Sequence, residues 1–355
     1  MSFQIVKFKE QKKWDGLMKG QADVYYQHGY AASFLSVDRG APELWIFETE
    51  KARVFQVVVV KDIAQLPCFS SVLHKQEFFD ASTPYGYGGP AIQTKGLVDI
   101  SRIMKAYSQF VEDYCRSRNI ICEFIRFHPL LQNHLLLGRF CELRYSRKTV
   151  LVNLAGGELL SEVISGEKRR NIRRALRNDI TVAFDLNADK LDEFYEIYVK
   201  TMQKNQADEY YFFPFRFFKD TMQLLRDQAV LISAYDGSKM ISGGIFLMGE
   251  GMMHCHFSAT DPAYLHLNAN SLIVYKAAEW GQKMNLRTLH LGGGHSEEAD
   301  DSLYRFKKSF STGEPLDFYT GKKIYHPGAY EEIARLSGKH KEIDNENYFP
   351  VFRAK

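Results

Sequence analysis

No stretch of this chain approaches the roughly 18 consecutive apolar residues that a membrane-spanning helix needs. The longest candidates, such as residues 57–60, are strand-sized. The first residues, Met1 to Gln4, carry no basic segment leading into an apolar one, so a secretory leader is not expected and the protein reads as cytoplasmic. Cysteine is scarce: Cys68, Cys115, Cys122, Cys141 and Cys255 form no CxxC pair and no metal-ligand spacing. They read as reduced, mostly buried thiols, which leaves neither a disulfide framework nor a metal centre to expect. Charge of one sign is missing too. Forty-six Lys and Arg balance forty-three Asp and Glu for a net charge of +3. That excludes a strongly basic coat of the kind DNA binding requires, but not a local cationic patch.

The common chemical signatures are also absent. The chain has no P-loop, no GxSxG elbow, no HExxH and no EF-hand loop. The run Gly-Tyr-Gly-Gly-Pro-Ala at 86–91 matches a dinucleotide fingerprint on paper, but Pro84 precedes it and Pro90 lies within it. Such a fingerprint must leave a strand and open a helix that receives the pyrophosphate, and prolines at those positions oppose this. His295 and Asp300 form an HxxxxD pair of a spacing that chance produces readily.

What remains is an ordinary globular composition, 45% hydrophobic and 25% charged, in 355 residues. That length suits two domains rather than one core. Residues 3–8, 44–49 and 54–60 read as strands, 97–115 as a helix and 120–127 as an apolar strand. A second series follows. Residues 165–178 form a basic helix, 180–186 a strand and 191–202 an amphipathic helix. Residues 229–235, 241–248 and 252–260 form a meander turned at Asp236-Gly237 and at 249–251. Then come a helix over 271–284 capped by Asn270, a strand over 286–291 and a short helix over 303–310 behind Asp300-Asp301. Residues 316–320 and 323–325 are expected as a hairpin around Gly321. The fold class is therefore α/β with mixed sheets, in two similar halves at 1–155 and 156–330 and a C-terminal tail at 331–355.

Five features carry information. Lys168, Arg169, Arg170, Arg173, Arg174 and Arg177 crowd into ten residues, and Arg170, Arg173, Arg174 and Arg177 share a helix face. Like charges at that spacing repel, so either the face is simply solvated or a phosphorylated partner rewards it, arginine being suited to phosphate. A strand running into Gly292, Gly293 and Gly294 exposes backbone N–H groups and permits close approach, or else makes a flexible turn. The helix around Tyr304, Phe306, Lys307, Lys308 and Phe310 sets an aromatic stripe beside a cationic one. Tyr85 and Tyr87, held among glycines and prolines in the segment 83–90, suit the wall of a cleft or an ordered surface loop. His254 and His256 share one strand face; either is a candidate general base, with a buried structural role as the alternative.

The segment Pro-Tyr-Gly-Tyr-Gly-Gly-Pro at 84–90, the helix carrying Arg169, Asn171, Ile172, Arg173 and Ala175, and Leu291-Gly-Gly-Gly followed by Leu303, Tyr304, Arg305, Phe306, Lys307 and Phe310 together resemble FemA/FemB-like proteins, a branch of the GNAT acyltransferase superfamily. The resemblance spans the whole chain. It implies two tandem GNAT-like domains facing a shared cleft, and transfer of an acyl or aminoacyl group to an amine or hydroxyl of a cell-envelope glycan or peptidoglycan precursor. It places Lys307, with Phe306 beside it, where charge develops on the transferred carbonyl, and it assigns phosphate binding of a nucleotide-linked acceptor to Arg169 and Arg173. The R/Q-x-x-G-x-G/A pyrophosphate loop of acetyl-CoA enzymes is missing; residues 261–270 stand in its place. Acyl-CoA is the expected donor and aminoacyl-tRNA the alternative, since one compact basic helix suits a few phosphates better than a tRNA arm. A non-catalytic module that binds a phosphorylated glycan is the remaining reading.

Overall fold

The computed structural model of the chain describes residues 1–298, 300–339 and 348–354. In chain order the first elements are β1 Ser2–Lys7, α1 Gln11–Met18, α2 His28–Ser33, β2 Ala41–Glu48, β3 Ala52–Asp62, β4 Phe79–Ser82, β5 Ala91–Thr94, α3 Ile100–Ser117, β6 Ile120–Arg126, α4 His134–Leu137 and β7 Glu142–Asn153. Then come α5 Gly166–Arg177, β8 Thr181–Asp185, α6 Leu191–Lys204, α7 Phe215–Leu225, β9 Ala229–Asp236, β10 Lys239–Gly249, β11 Met252–Thr260, α8 Ala269–Lys283, β12 Thr288–Gly293, α9 Ser302–Lys308, β13 Leu316–Ile324 and α10 Pro327–Leu336. None of the described helices is long and apolar enough to cross a membrane.

The chain divides into two compact units. The first comprises residues 1–17, 38–146 and 318–355, the second residues 18–37 and 147–317. In the first unit β1, β2, β3 and β4 are antiparallel neighbours, β4 pairs parallel with β6, and β6 pairs antiparallel with β13. In the second, β8, β9, β10 and β11 are antiparallel neighbours, β11 pairs parallel with β12, and β12 pairs antiparallel with β7. The strands of the two units therefore repeat one plan: four antiparallel strands, a parallel step, and a closing antiparallel strand. A parallel step needs a helical crossover, and α3 and α8 supply it. The chain order of the closing strands is exchanged. β7 follows β6 but pairs with β12, and β13 follows β12 but pairs with β6.

Local sequence accounts for the helices. Asp99 caps α3, accepting from Arg102 N at 3.0 Å, and Ile103, Met104, Tyr107, Val111 and Cys115 turn its buried face onto a core with Trp45, Val58 and Ile125. Each such apolar side chain contributes about 1.5–3 kcal/mol by leaving water. Ser165 caps α5, which buries Lys168, Ile172 and Ala175 and leaves Arg170, Arg173, Arg174 and Arg177 exposed. The core of the second unit gathers Ile172, Val230, Ile232, Phe246, Leu272, Leu289 and Phe310.

Two expectations are corrected. Residues 316–324 form one continuous strand, β13, not a hairpin around Gly321. Gly321 lies within it because a Cβ there would sit 2.7 Å from the Phe127 ring; the glycine serves close packing, not a turn. The cap of α8 is Asn268, in the left-handed region at φ 57°, ψ 26°, two residues ahead of Asn270.

Candidate active site

Of the residues in the five features above, Tyr85 and Tyr87 belong to the first unit and the others to the second. The loop that holds the tyrosines is rigidly tied. Asn133 Nδ2 donates to Gly88 O at 2.7 Å and to Pro90 O at 3.0 Å, and Gly88 N donates to Arg126 O at 2.7 Å. Tyr87 packs edge-on against Phe318 with centroids 5.2 Å apart, and both tyrosines are half-buried.

In the second unit the chemistry collects where β11 and β12 part. Their parallel pairing runs through Met252–Thr288, Met253–Leu289 and His254–His290 and stops there, although β11 continues to Thr260 and β12 to Gly293. Beyond the fork the facing strand edges are no longer bonded to one another, which leaves room for an extended ligand between them. Lys307 reaches this fork from α9. Its ammonium donates to Gly293 O at 2.7 Å. Burial is the main reason its pKa falls to about 8; the Cys255 thiol on β11 opposes the drop and Arg147 adds to it. The Cys255 thiol is itself pushed up to about 11 by burial, with Lys307 opposing.

The three glycines shape the end of β12. Gly292 takes a positive φ of 72°. Gly294 has no space for a side chain, since a Cβ would stand 2.3 Å from Asp301 Oδ1. Arg147 Nη1 donates to Gly294 O at 2.7 Å and to His295 O at 3.0 Å. Asp301 joins this loop to α9: Oδ1 accepts from Tyr304 N at 2.8 Å, and Oδ2 from His295 N at 2.9 Å and Ser296 N at 3.2 Å. Burial works against the Asp301 carboxylate, but these N–H donors outweigh it and hold its pKa below the ordinary value. Asp301→Ala is therefore expected to destabilise the protein by about 1 kcal/mol, the usual loss of an N-cap, with Asp301→Asn milder. Urea midpoints of the two variants check this.

Phe306 turns the other way, into the unit's core. Its ring lies 4.0 Å from Lys168 Nζ, and Phe310 stands 4.9 Å from the same ammonium. Lys168 is 6% exposed; its ammonium donates to Ser271 Oγ at 3.3 Å and forms no salt bridge among the described residues. Burial lowers its pKa to about 8, with Glu167 opposing. Arg169 Nη1 donates to Ser161 O at 3.1 Å, and Arg173 is exposed.

His254 and His256 both lie against the ring of Tyr25, at 4.8 and 6.0 Å between centroids. His254 Nε2 is 2.9 Å from Asp23 Oδ2, a fully buried carboxylate–imidazole pair. A β-bulge sits beside them, where Phe246 pairs with Cys255 and Ile245 with Phe257, skipping His256. Burial, with His254 adding, lowers the His256 pKa to about 3, so this ring stays neutral and is a weak proton acceptor. Asp23, Arg147 and Asp301 are the parts of this site that sequence reasoning did not single out, and Lys168 was named there only as a member of the basic run. Only Asp301 left a local trace, in the acidic pair ahead of α9.

Residues 166–308 match the family described as acetyltransferase (GNAT) domain. This stretch lies within the second unit, contains the β11–β12 fork and is similar to a GNAT domain. The crystal structure of FemX superposes with a TM-score of 0.67 at 13% identity, covering 94% of this chain and 100% of that one. A tandem GNAT protein from the clavulanic acid biosynthesis pathway superposes at 0.50 with 7% identity, covering 91% of this chain and 99% of that one. These likenesses show the fold alone, which is that of tandem GNAT proteins. In sequence, the chain is 26% identical over 180 residues to the UDP-N-acetylmuramoylpentapeptide-lysine N(6)-alanyltransferase of Weissella viridescens. The match covers 49% of this chain and 51% of that relative, so it spans about half the relative's length. The chain is thus similar in part of its sequence to a GNAT domain and to a Fem-type alanyltransferase, and in fold to FemX.

Proposed function

We propose that this chain transfers an acyl or aminoacyl group from an activated donor to an amine or hydroxyl of a cell-envelope glycan or peptidoglycan precursor in the cytoplasm. The observation that carries the reading is the Lys307 ammonium at the strand fork, 2.7 Å from Gly293 O. The acceptor's lone pair attacks the thioester or ester carbonyl carbon, and the carbonyl electrons move onto oxygen. Lys307 stabilises that oxyanion. Collapse expels the thiol or ribose hydroxyl, which leaves with the proton shed by the acceptor. The strand edges hold the donor extended, so that proximity supplies much of the remaining rate. The relative's acceptor is a nucleotide-linked muropeptide. The exposed arginines of α5 suit the phosphates of such a molecule, which is the first acceptor to test.

For the donor, the small net charge of +3 and the single compact basic helix favour acyl-CoA over aminoacyl-tRNA. A bound donor at 100 times its dissociation constant is expected to add about 2.7 kcal/mol of stability, read as a rise in melting temperature. If a panel of acyl-CoAs leaves the melting temperature unchanged while alanyl-tRNA binds with a steep salt dependence, the donor is the tRNA ester. If neither binds and only the nucleotide-linked glycan does, the chain is a binding module.

A further inference from the structure

The helical layer over one face of the second unit's sheet ends one strand short. The edge strand β8 presents Val182 and Phe184, Ile180 just precedes it, and α8 lays Leu272 and Trp280 alongside, with Leu176 of α5 closing the end. Together they form an open groove of about 260 Å³. Phe184 and Trp280 stand 5.6 Å apart between ring centroids. Leu176, Phe184 and the following Leu186 are 44%, 41% and 49% exposed. Apolar side chains so placed are left for something to cover.

The rim is cationic. Lys276 and Lys283 line the groove; Lys276 pairs with Glu279 at 2.7 Å, the rim's own carboxylate, and Lys283 is exposed. Arg173 and Arg177 flank Leu176 on α5, both exposed and without a salt bridge among the described residues. Arg173 lies one turn from Leu176, on its side of the helix. A second copy would bring the same cations against these, which disfavours self-association through this face.

We propose that this groove takes the acyl chain of an anionic phospholipid, with Arg173, Arg177 and Lys283 on its phosphate, and so attaches the protein to an anionic membrane surface. An apolar slot with Lys283 on its rim and Arg173 and Arg177 on the adjoining helix matches a molecule that is apolar at one end and phosphorylated at the other. Arg173 and Arg177 are among the α5 arginines that also suit an acceptor's phosphates, so the test reads attachment in the absence of any substrate.

The full chain is sedimented with vesicles of phosphatidylcholine alone and of phosphatidylcholine mixed with phosphatidylglycerol. Binding is expected only to the mixed vesicles, weakening as salt rises. Arg173→Gln with Arg177→Gln should weaken it roughly thirtyfold, the effect of losing two cations at an anionic surface. Phe184→Ser should weaken it at unchanged charge. Lys12→Gln with Lys105→Gln, a matched loss of two exposed charges in the first unit, should leave it nearly unchanged. Equal binding to phosphatidylcholine alone overturns the proposal, as does a control pair that loses as much as the arginine pair. So does indifference to Phe184→Ser, displacement from vesicles by a short RNA at equal phosphate concentration, or a concentration-dependent dimer that Phe184→Ser disperses.

Discussion

Lys307→Ala is expected to lower turnover by roughly 10²–10³, the measured range for removing one oxyanion-stabilising donor. The fold should survive, because the change removes a half-buried cation and one hydrogen bond to Gly293 O and leaves the Asp301 cap of α9 in place. The pH profile discriminates further. The ammonium is the acting form, and burial brings its pKa to about 8. Activity should therefore hold below that value and fall as pH rises through it. Lys307→Arg should lower the plateau but move the alkaline limb out of range, since a guanidinium stays charged. An unchanged alkaline limb in the arginine variant would show that another group sets it.

Lys168→Met is expected to stabilise the protein at pH 7 by about 1–3 kcal/mol, as when a buried charge gives way to an apolar group of similar volume. The sign follows from linkage. Lys168 titrates at about 8 in the folded chain against 10.5 ordinarily, so burial disfavours its charged form. That penalty is fully present below pH 8 and fades as pH rises toward 10.5, so the wild type gains stability across this window while the methionine variant lacks that slope. The rings of Phe306 and Phe310 return part of the penalty, up to about 2 kcal/mol for a desolvated cation–π pair. Urea unfolding of both proteins at pH 7 and pH 9.5 reads the difference. A net loss of stability at pH 7 would mean that the two rings outweigh desolvation.

Much of the secondary structure was legible because local signals agree with the global fold. β11 was read with its observed bounds, and the periodic faces of α3, α5 and α6 placed those helices within a few residues. The strand exchange was not legible. Nothing local in residues 142–153 or 316–324 states which sheet closes on which strand, and so the chain reads as continuous halves although residues 18–37 and 318–355 each group with the unit distant in sequence. Gly321 misled for a related reason: a glycine signals either a turn or a close approach, and only the Phe127 ring decides between them. At the site, Phe306 and Lys307 stood out through their resemblance to a family motif. Asp23 did not, because its partner His254 lies 231 residues away. Lys168 was hidden within a basic run, where one helical turn separates a buried lysine from exposed arginines.

Mass-spectrometric detection of transfer tests the central claim most directly. The full chain and Lys307→Ala are incubated side by side with the nucleotide-linked muropeptide proposed as acceptor and with either acyl-CoA or alanyl-tRNA. The expected result is an acceptor heavier by one acyl or aminoacyl group with the wild type, formed far more slowly by the variant. Equal product from both proteins would contradict the role given to Lys307. No product with either donor, from an acceptor shown to bind, would contradict the transferase reading itself.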